Sequence, residues 1–309
     1  MSTLVEILYN IIGPIFIIVG IAALADRTVE IDPRSLSRLI IYVFTPFLII
    51  KGIAYSDLGA GEAGKVVTIA ILSSLLVALV AWIAARTLKF DQKLESAFVL
   101  SATLINAGNY GIPLNRFAFG APGEERALLF FLATLVITYT LGVFLASRGT
   151  VSTRAAALRV FRVPFPYAVA LGFLINIGEV DVPLPLERVI DLLSSATIPA
   201  MLVVLGVQLS RAAAPEQLAC IRERIRPIVA AAGMRLVVAP AIALVLAVLL
   251  GLSGLARQVS IIQAAMPTAV STGVLATEFG ADGDFVAAVI LVSTLSSVVT
   301  LSVLLSLLM

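Results

Sequence analysis

Stretches of about twenty apolar residues follow one another along this chain with only short polar breaks between them, and that succession decides the class of fold. They run approximately over 4–25, 36–55, 66–86, 96–119, 127–147, 163–178, 188–209, 227–250, 258–279 and 285–308. A hydrocarbon core of about 30 Å takes about 20 helical residues, so a chain of 309 residues built this way has no room for a sizeable soluble domain. The runs are continuous rather than alternating, which excludes a β-barrel. The expectation is an all-α polytopic membrane protein of ten transmembrane helices, with the lipid bilayer as its solvent. Composition agrees: 60% of residues are hydrophobic and 13% charged, where a soluble domain has roughly 25% charged residues.

Charge matters here by position. The chain has 21 basic and 19 acidic residues, a balance that gives no reason to expect a nucleic-acid partner. Alternate loops beginning with the first hold Arg27, Arg34 and Arg38, then Arg86, Lys89 and Lys93, then Arg148, Arg154, Arg159 and Arg162, then Arg211, Arg222, Arg224 and Arg226. The opposite loops hold only Lys65, Arg126, Arg188 and Arg257. The positive-inside rule puts the richer set in the cytoplasm and both termini on the non-cytoplasmic side of the cell membrane. The first ten residues lack the positive region of a cleaved signal and run into an apolar span, so they read as the start of the first helix.

The chain has no histidine, which removes the commonest general base, metal ligand and near-neutral proton switch. Cys220 is the only cysteine, so no intrachain disulfide forms, and it reads as an inert thiol. No nucleophile has a recognisable base and no carboxylate pair has metal-binding spacing, so an enzyme is not expected, nor a cofactor.

The prolines carry an internal repeat. Pro14, Pro46 and Pro113 are answered by Pro166, Pro199 and Pro267 at offsets of 152, 153 and 154 residues. Gly20 follows Pro14 by six residues as Gly172 follows Pro166, and FGAPGE from Phe119 resembles FGADGD from Phe279. The spacing predicts two copies of five spans, 1–150 and 151–309. An odd number of spans makes the second copy enter from the opposite side, giving the inverted-topology repeat that secondary transporters use.

The fourth span is the least helical. Between Asn106 and Pro113 it carries two asparagines, two glycines and a proline at membrane depth. In the matching ninth span Pro267 stands among Gln263, Thr268, Ser271 and Thr272. Breaks in corresponding spans of an inverted repeat point to a substrate site near the midplane. A helix restarting after each break would aim its amide groups and positive dipole end at a carboxylate. The candidate substrate-binding set is Asn106, Asn109, Gly111, Ile112, Pro113, Gln263, Met266, Pro267 and Thr268, joined by Arg235 from the eighth span. The plainer alternative is that Asn and Gln side chains cross-link helices. Arg235 is the deepest intramembrane charge, suited to attract an anion or to complete an inner gate. Lys51 and Arg116 lie nearer the outer ends, within reach of the interface. No carboxylate is expected at the midplane, and the net positive charge of the spans favours an anionic substrate.

These residues resemble the auxin efflux carrier family, which includes the plant PIN-formed carriers and short bacterial permeases. The likeness rests on NAGNYGIPL from Asn106, MRLVVAP from Met234 and IIQAAMPTAVSTGVLATEFG from Ile261, and on the opening IIGPIFIIVGIAALADR followed by LSRLIIYVFTPFLI. It implies two inverted five-helix repeats whose broken helices 4 and 9 cross at their prolines, with helices 1, 2, 6 and 7 as a scaffold and helices 3–5 and 8–10 as a mobile crossover domain working as an elevator. It also implies export or exchange of organic anions such as auxin, malate or malonate, with the crossover at Asn106, Pro113 and Pro267, Asn109 and Gln263 alongside, and a homodimer through the scaffold. Plant members carry a long hydrophilic central loop, whereas the segment from Ala146 to Arg162 is short and basic. Two other readings compete with organic-anion transport: a sodium-coupled symporter of the bile-acid type, and a membrane sensor that does not transport.

Overall fold

The computed structural model describes residues 3–146 and 159–309. Arg148, Arg154 and the expected junction of the two copies at residues 150 and 151 lie outside the described residues. Among the described residues the chain is helical, and the one β-type contact is an isolated antiparallel bridge between Ile105 and Thr268.

The helices are α1 (Leu4–Val29), α2 (Pro33–Ala54), α3 (Ala60–Thr87), α4 (Gln92–Thr103), α5 (Ala107–Gly142), α6 (Phe165–Ile177), α7 (Leu184–Ala212), α8 (Pro215–Glu223), α9 (Ile225–Leu249), α10 (Gly254–Ala264), α11 (Ser271–Phe279) and α12 (Gly283–Leu308). Seven of them, α1, α2, α3, α5, α7, α9 and α12, are long and apolar enough to cross a membrane. The ten apolar runs therefore do not each form one long helix. The fourth run divides between α4 and the first limb of α5, the ninth divides between α10 and α11, and the sixth supplies only the 13 residues of α6.

These helices need a solvent other than water. In α1 only 33% of the most apolar window is buried, and even in α12 the share is 56%. Ile17, Ile21 and Leu24 lie on one face of α1 and are 63%, 63% and 65% exposed. Apolar faces of that extent, repeated on α3, α6 and α9, suit hydrocarbon.

The prolines are accommodated more often than they break the chain. Pro14, Pro46, Pro113 and Pro240 each follow by two residues the end of a five-residue π-helical turn, at residues 8–12, 40–44, 107–111 and 234–238. In each case the residue before the proline donates its N–H five residues back: Gly13 to Leu8, Thr45 to Ile40, Ile112 to Ala107 and Ala239 to Met234. Proline lacks a donor and its ring crowds the carbonyl four residues back, and a wider turn relieves both problems. Pro199 lies inside α7, and Pro267 alone of the repeated prolines falls in a true gap.

Turns are set by local chemistry. Asp32 caps α2, accepting from the Arg34 and Ser35 amides at 3.1 Å and from Ser35 Oγ at 2.6 Å. The Ser35 hydroxyl and these amides hold the Asp32 carboxyl below its ordinary range. Gly120 (φ 69°, ψ −157°) bends α5 into two limbs, and Gly280 (φ 76°) ends α11. Both occupy the same place in the repeated FGAPGE and FGADGD loops, where only glycine turns the chain without strain.

Packing is uneven across the molecule. α1 lies along α7, where Gly206 faces Val19 and Ala22, and α2 packs on α6 and α7, with Gly172 close to Ile53. Gly20, the repeat counterpart of Gly172, has open space beside it, so the matched glycines are not used alike. A second group gathers around α3, which contacts α4, α5, α9 and α10, while α12 packs against α4, α8 and α9. Cys220 in α8 is half-buried against this second group, and burial pushes its thiol pKa up, away from the reactive thiolate.

Candidate functional site

Four helix ends meet at the two gaps. α4 and α10 arrive with their C-termini, and α5 and α11 leave with their N-termini. The links between them pair as extended chain: Asn106 N–H donates to Pro267 O at 2.9 Å and Ala269 N–H to Leu104 O at 3.0 Å. Because the backbone leaves helix geometry here, its polar groups need new partners away from water, and this two-bond bridge supplies them. The first link spans residues 104–106, well upstream of Pro113. The resemblance placed the crossing at both prolines; it lies at Pro267 on one side, while Pro113 is absorbed by the wide turn at 107–111.

Side chains then lock the bridge. Thr268 Oγ1 donates to Ser101 O at 2.8 Å, and Thr268 N–H donates to Ser293 Oγ at 3.2 Å. Gln263 Nε2 donates to Ala127 O at 3.1 Å and Ala107 O at 3.4 Å, tying α10 to both limbs of α5. Gly111 sits flat against the Gln263 amide, leaving no room for a side chain. Asn115 Nδ2 reaches Gly111 O at 2.8 Å. Met266 is fully buried in a cluster with Tyr110, Leu114 and Ile262, and Ile112 is fully buried beside Ile49 and Leu128. Of the tyrosines, Tyr110 packs edge-on against Phe16 with its hydroxyl 3.3 Å from Ser297 Oγ, Tyr139 is half-buried and Tyr42 is exposed.

Arg235 enters from α9, inside the wide turn before Pro240, and is 2% exposed. Its Nη1 donates to Ala102 O at 2.8 Å and Thr103 O at 3.3 Å, and its Nη2 donates to Ala264 O. These carbonyls belong to the last turns of α4 and α10. No acidic side chain pairs with Arg235 among the described residues.

The opposite ends are left open. Neither Asn106 at the start of α5 nor Val270 at the start of α11 gives a capping side-chain hydrogen bond. Asn106 Nδ2, Ser101 Oγ, Thr272 Oγ1, Thr294 Oγ1 and Gln263 Oε1 are buried without a partner among the described residues. Asn109 is half-buried and makes no hydrogen bond among the described residues, so its amide is free for a ligand. The gap thus combines unpaired donors, two positive dipole ends and no carboxylate, a set suited to an anion.

The family model described as "Membrane transport protein" matches residues 8–156 and 147–305, nearly the whole chain. The chain belongs to this family, the auxin efflux carriers. Two relatives, each named only as an uncharacterized transporter, extend the match. The one from Methanothermobacter thermautotrophicus is 27% identical over 274 residues, 88% of each chain. The one from Methanocaldococcus jannaschii is 26% identical over 287 residues, 88% of this chain and 89% of its own.

Seen as a family member's site, the predicted residues divide. Asn106, Gly111, Gln263, Pro267, Thr268 and Arg235 are brought together at the gaps, Asn109 faces partly open space, and Ile112, Pro113 and Met266 are packing residues one or two positions away. Ser101, Ser293, Thr294, Ser297 and Asn115 escaped sequence reasoning. The run STLSS from Ser293 within an otherwise apolar helix was the available signal for three of them. An open cavity of about 480 Å³ lies apart from the predicted set, lined by Gln217, Gly273, Thr277, Ala281, Gly283, Asp284 and Ala287.

Proposed function

We propose that the protein is a secondary transporter that carries small organic anions, carboxylates such as malate, malonate or auxin-like acids, across the cell membrane. The substrate carboxylate sits at the open N-termini of α5 and α11, with Asn106 and Asn109 donating to it. The single observation that carries this reading is the meeting of two uncapped helix N-termini beside unpaired amide donors, with Arg235 as the charged residue at the gap. Membership of a membrane transport family favours a carrier over a sensor or an enzyme.

In this reading the two broken runs are helices 4 and 9 of a ten-helix inverted repeat with halves 1–150 and 151–309. The denser packing of α1, α2, α6 and α7 on one another than on the helices around α3 and α12 supports a scaffold and a moving body, hence an elevator-type cycle. The bias of basic residues supports both termini lying outside. Pairing of two copies through the scaffold belongs to the same reading.

The test is flux in proteoliposomes, read as current and as isotope uptake, against a panel of mono- and dicarboxylates and indole acetate. The expected result is a substrate-specific signal that Asn109→Ala reduces about tenfold, the scale of a lost hydrogen bond to a charged group, with its melting temperature kept within about 4 °C. Undiminished uptake by a well-folded Asn109→Ala variant overturns the site. Ligand-induced thermal stabilisation without any flux identifies a sensor instead.

A further inference from the structure

The carbonyl side of the crossing carries a second message, independent of where the anion binds. The C-terminal ends of α4 and α10 meet there, each bearing about half a negative charge from its aligned peptide dipoles. Transporters with broken helices use such ends and their unwound carbonyls to coordinate a sodium ion or proton that accompanies the substrate. Here Arg235, carried in by a third helix, fills that place. Its two terminal nitrogens engage Ala102, Thr103 and Ala264, so both ends finish on one guanidinium.

A buried arginine without a carboxylate is costly unless something else supplies negative charge, and the two helix ends do so. A planar fork with donors on separate nitrogens is the side chain that can bridge carbonyls from two directions at once. We propose that Arg235 is a resident cation of the crossing, standing where a co-transported cation would otherwise be needed, so that this protein moves its anion without sodium. The negative dipole ends are neutralised within the chain. The positive ends at α5 and α11 stay uncompensated, and the substrate anion alone completes the charge balance. Arg235 is then a positioning residue: it holds the two C-termini together and sets the field at the site without touching substrate.

The proposal rests on the anion-transport reading for its flux arm only. In proteoliposomes, wild-type flux of the transported carboxylate is expected to change less than about twofold when choline replaces sodium on both sides; a fall of tenfold or more overturns the proposal. Arg235→Ala is expected to lose about tenfold or more of its flux in choline and to regain part of it in methylguanidinium at equal ionic strength, a response a packing role would not give. Loss that no cation relieves overturns it, as does unchanged flux. Arg235→Lys, which keeps the charge on one nitrogen, is expected to fall between the two and serves where Arg235→Ala does not fold; an Arg235→Lys variant no better than one lacking the charge, Arg235→Gln, overturns the charge role. Where wild type carries none of the panel, the transport reading fails separately, and melting in detergent decides the present one. Methylguanidinium is then expected to raise the melting temperature of the variant relative to its effect on wild type, and equal responses overturn the proposal.

Discussion

At the scale of single residues, the crossing works by fit as much as by charge. Gly111 is required because a Cβ there would lie 2.9 Å from Gln263 Cδ, and the Gln263 amide is held in place by the Ala127 and Ala107 carbonyls. Gly111→Ala is expected to destabilise the fold by about 1–3 kcal/mol, as overpacking in a tight interior does. Adding Gln263→Ala should return at least part of that loss, since it removes the obstacle, whereas a double variant that melts below both single variants would place the strain elsewhere. The same geometry explains why the sequence leaves both substrate binding and helix cross-linking open for Gln263. An amide at membrane depth has the same chemistry whether its partner is a substrate or a carbonyl, and only the position of Ala127 decides between them. For Arg235, burial was legible from its depth in the eighth run, but its partners were not, because backbone carbonyls leave no mark in a sequence.

At the scale of elements, the informative features are the places where helices stop. Long apolar runs were readable because their length matches the hydrocarbon thickness, and α1, α2, α3, α7, α9 and α12 fall largely where the runs do. Proline was a poorer guide to the breaks. A proline can be absorbed by a wide turn, as at Pro14, Pro46, Pro113 and Pro240, and a helix can stop without one, as α4 does at Thr103. The bend in α5 rests on Gly120, whose φ of 69° and ψ of −157° suit no other residue. Gly120→Ala is expected to lower stability by about 1–3 kcal/mol, while Gly64→Ala, inside α3 with open space around it, should not lower it and serves as the control. Equal melting of the two variants would mean that α5 does not need this bend.

At the scale of the whole molecule, the group formed by α1, α2, α6 and α7 meets the remainder through few polar contacts. Ser56, just beyond α2, donates to Glu125 of α5 and so ties the two groups together at one end. If the groups move as bodies during transport, a disulfide at this point should stop them. With Cys220 replaced by serine, the Ser56→Cys, Glu125→Cys pair is expected to lose about tenfold or more of its flux on oxidation and to recover on reduction, the behaviour of a blocked conformational step. Equal flux in both redox states would argue against relative motion there. The sequence by itself determined that the chain is a helical membrane protein of a transport family, because hydrocarbon length, charge bias and motif composition are written in residue order. It also pointed to the fourth and ninth runs as special, because glycine, asparagine and proline betray backbone outside helix geometry. The tertiary structure alone decided where the two broken runs cross and which side chains brace the crossing. It also decided that Arg235 answers helix C-termini, since the partners of its guanidinium are backbone carbonyls that packing brings to it and that the identity of Ala102, Thr103 and Ala264 does not mark.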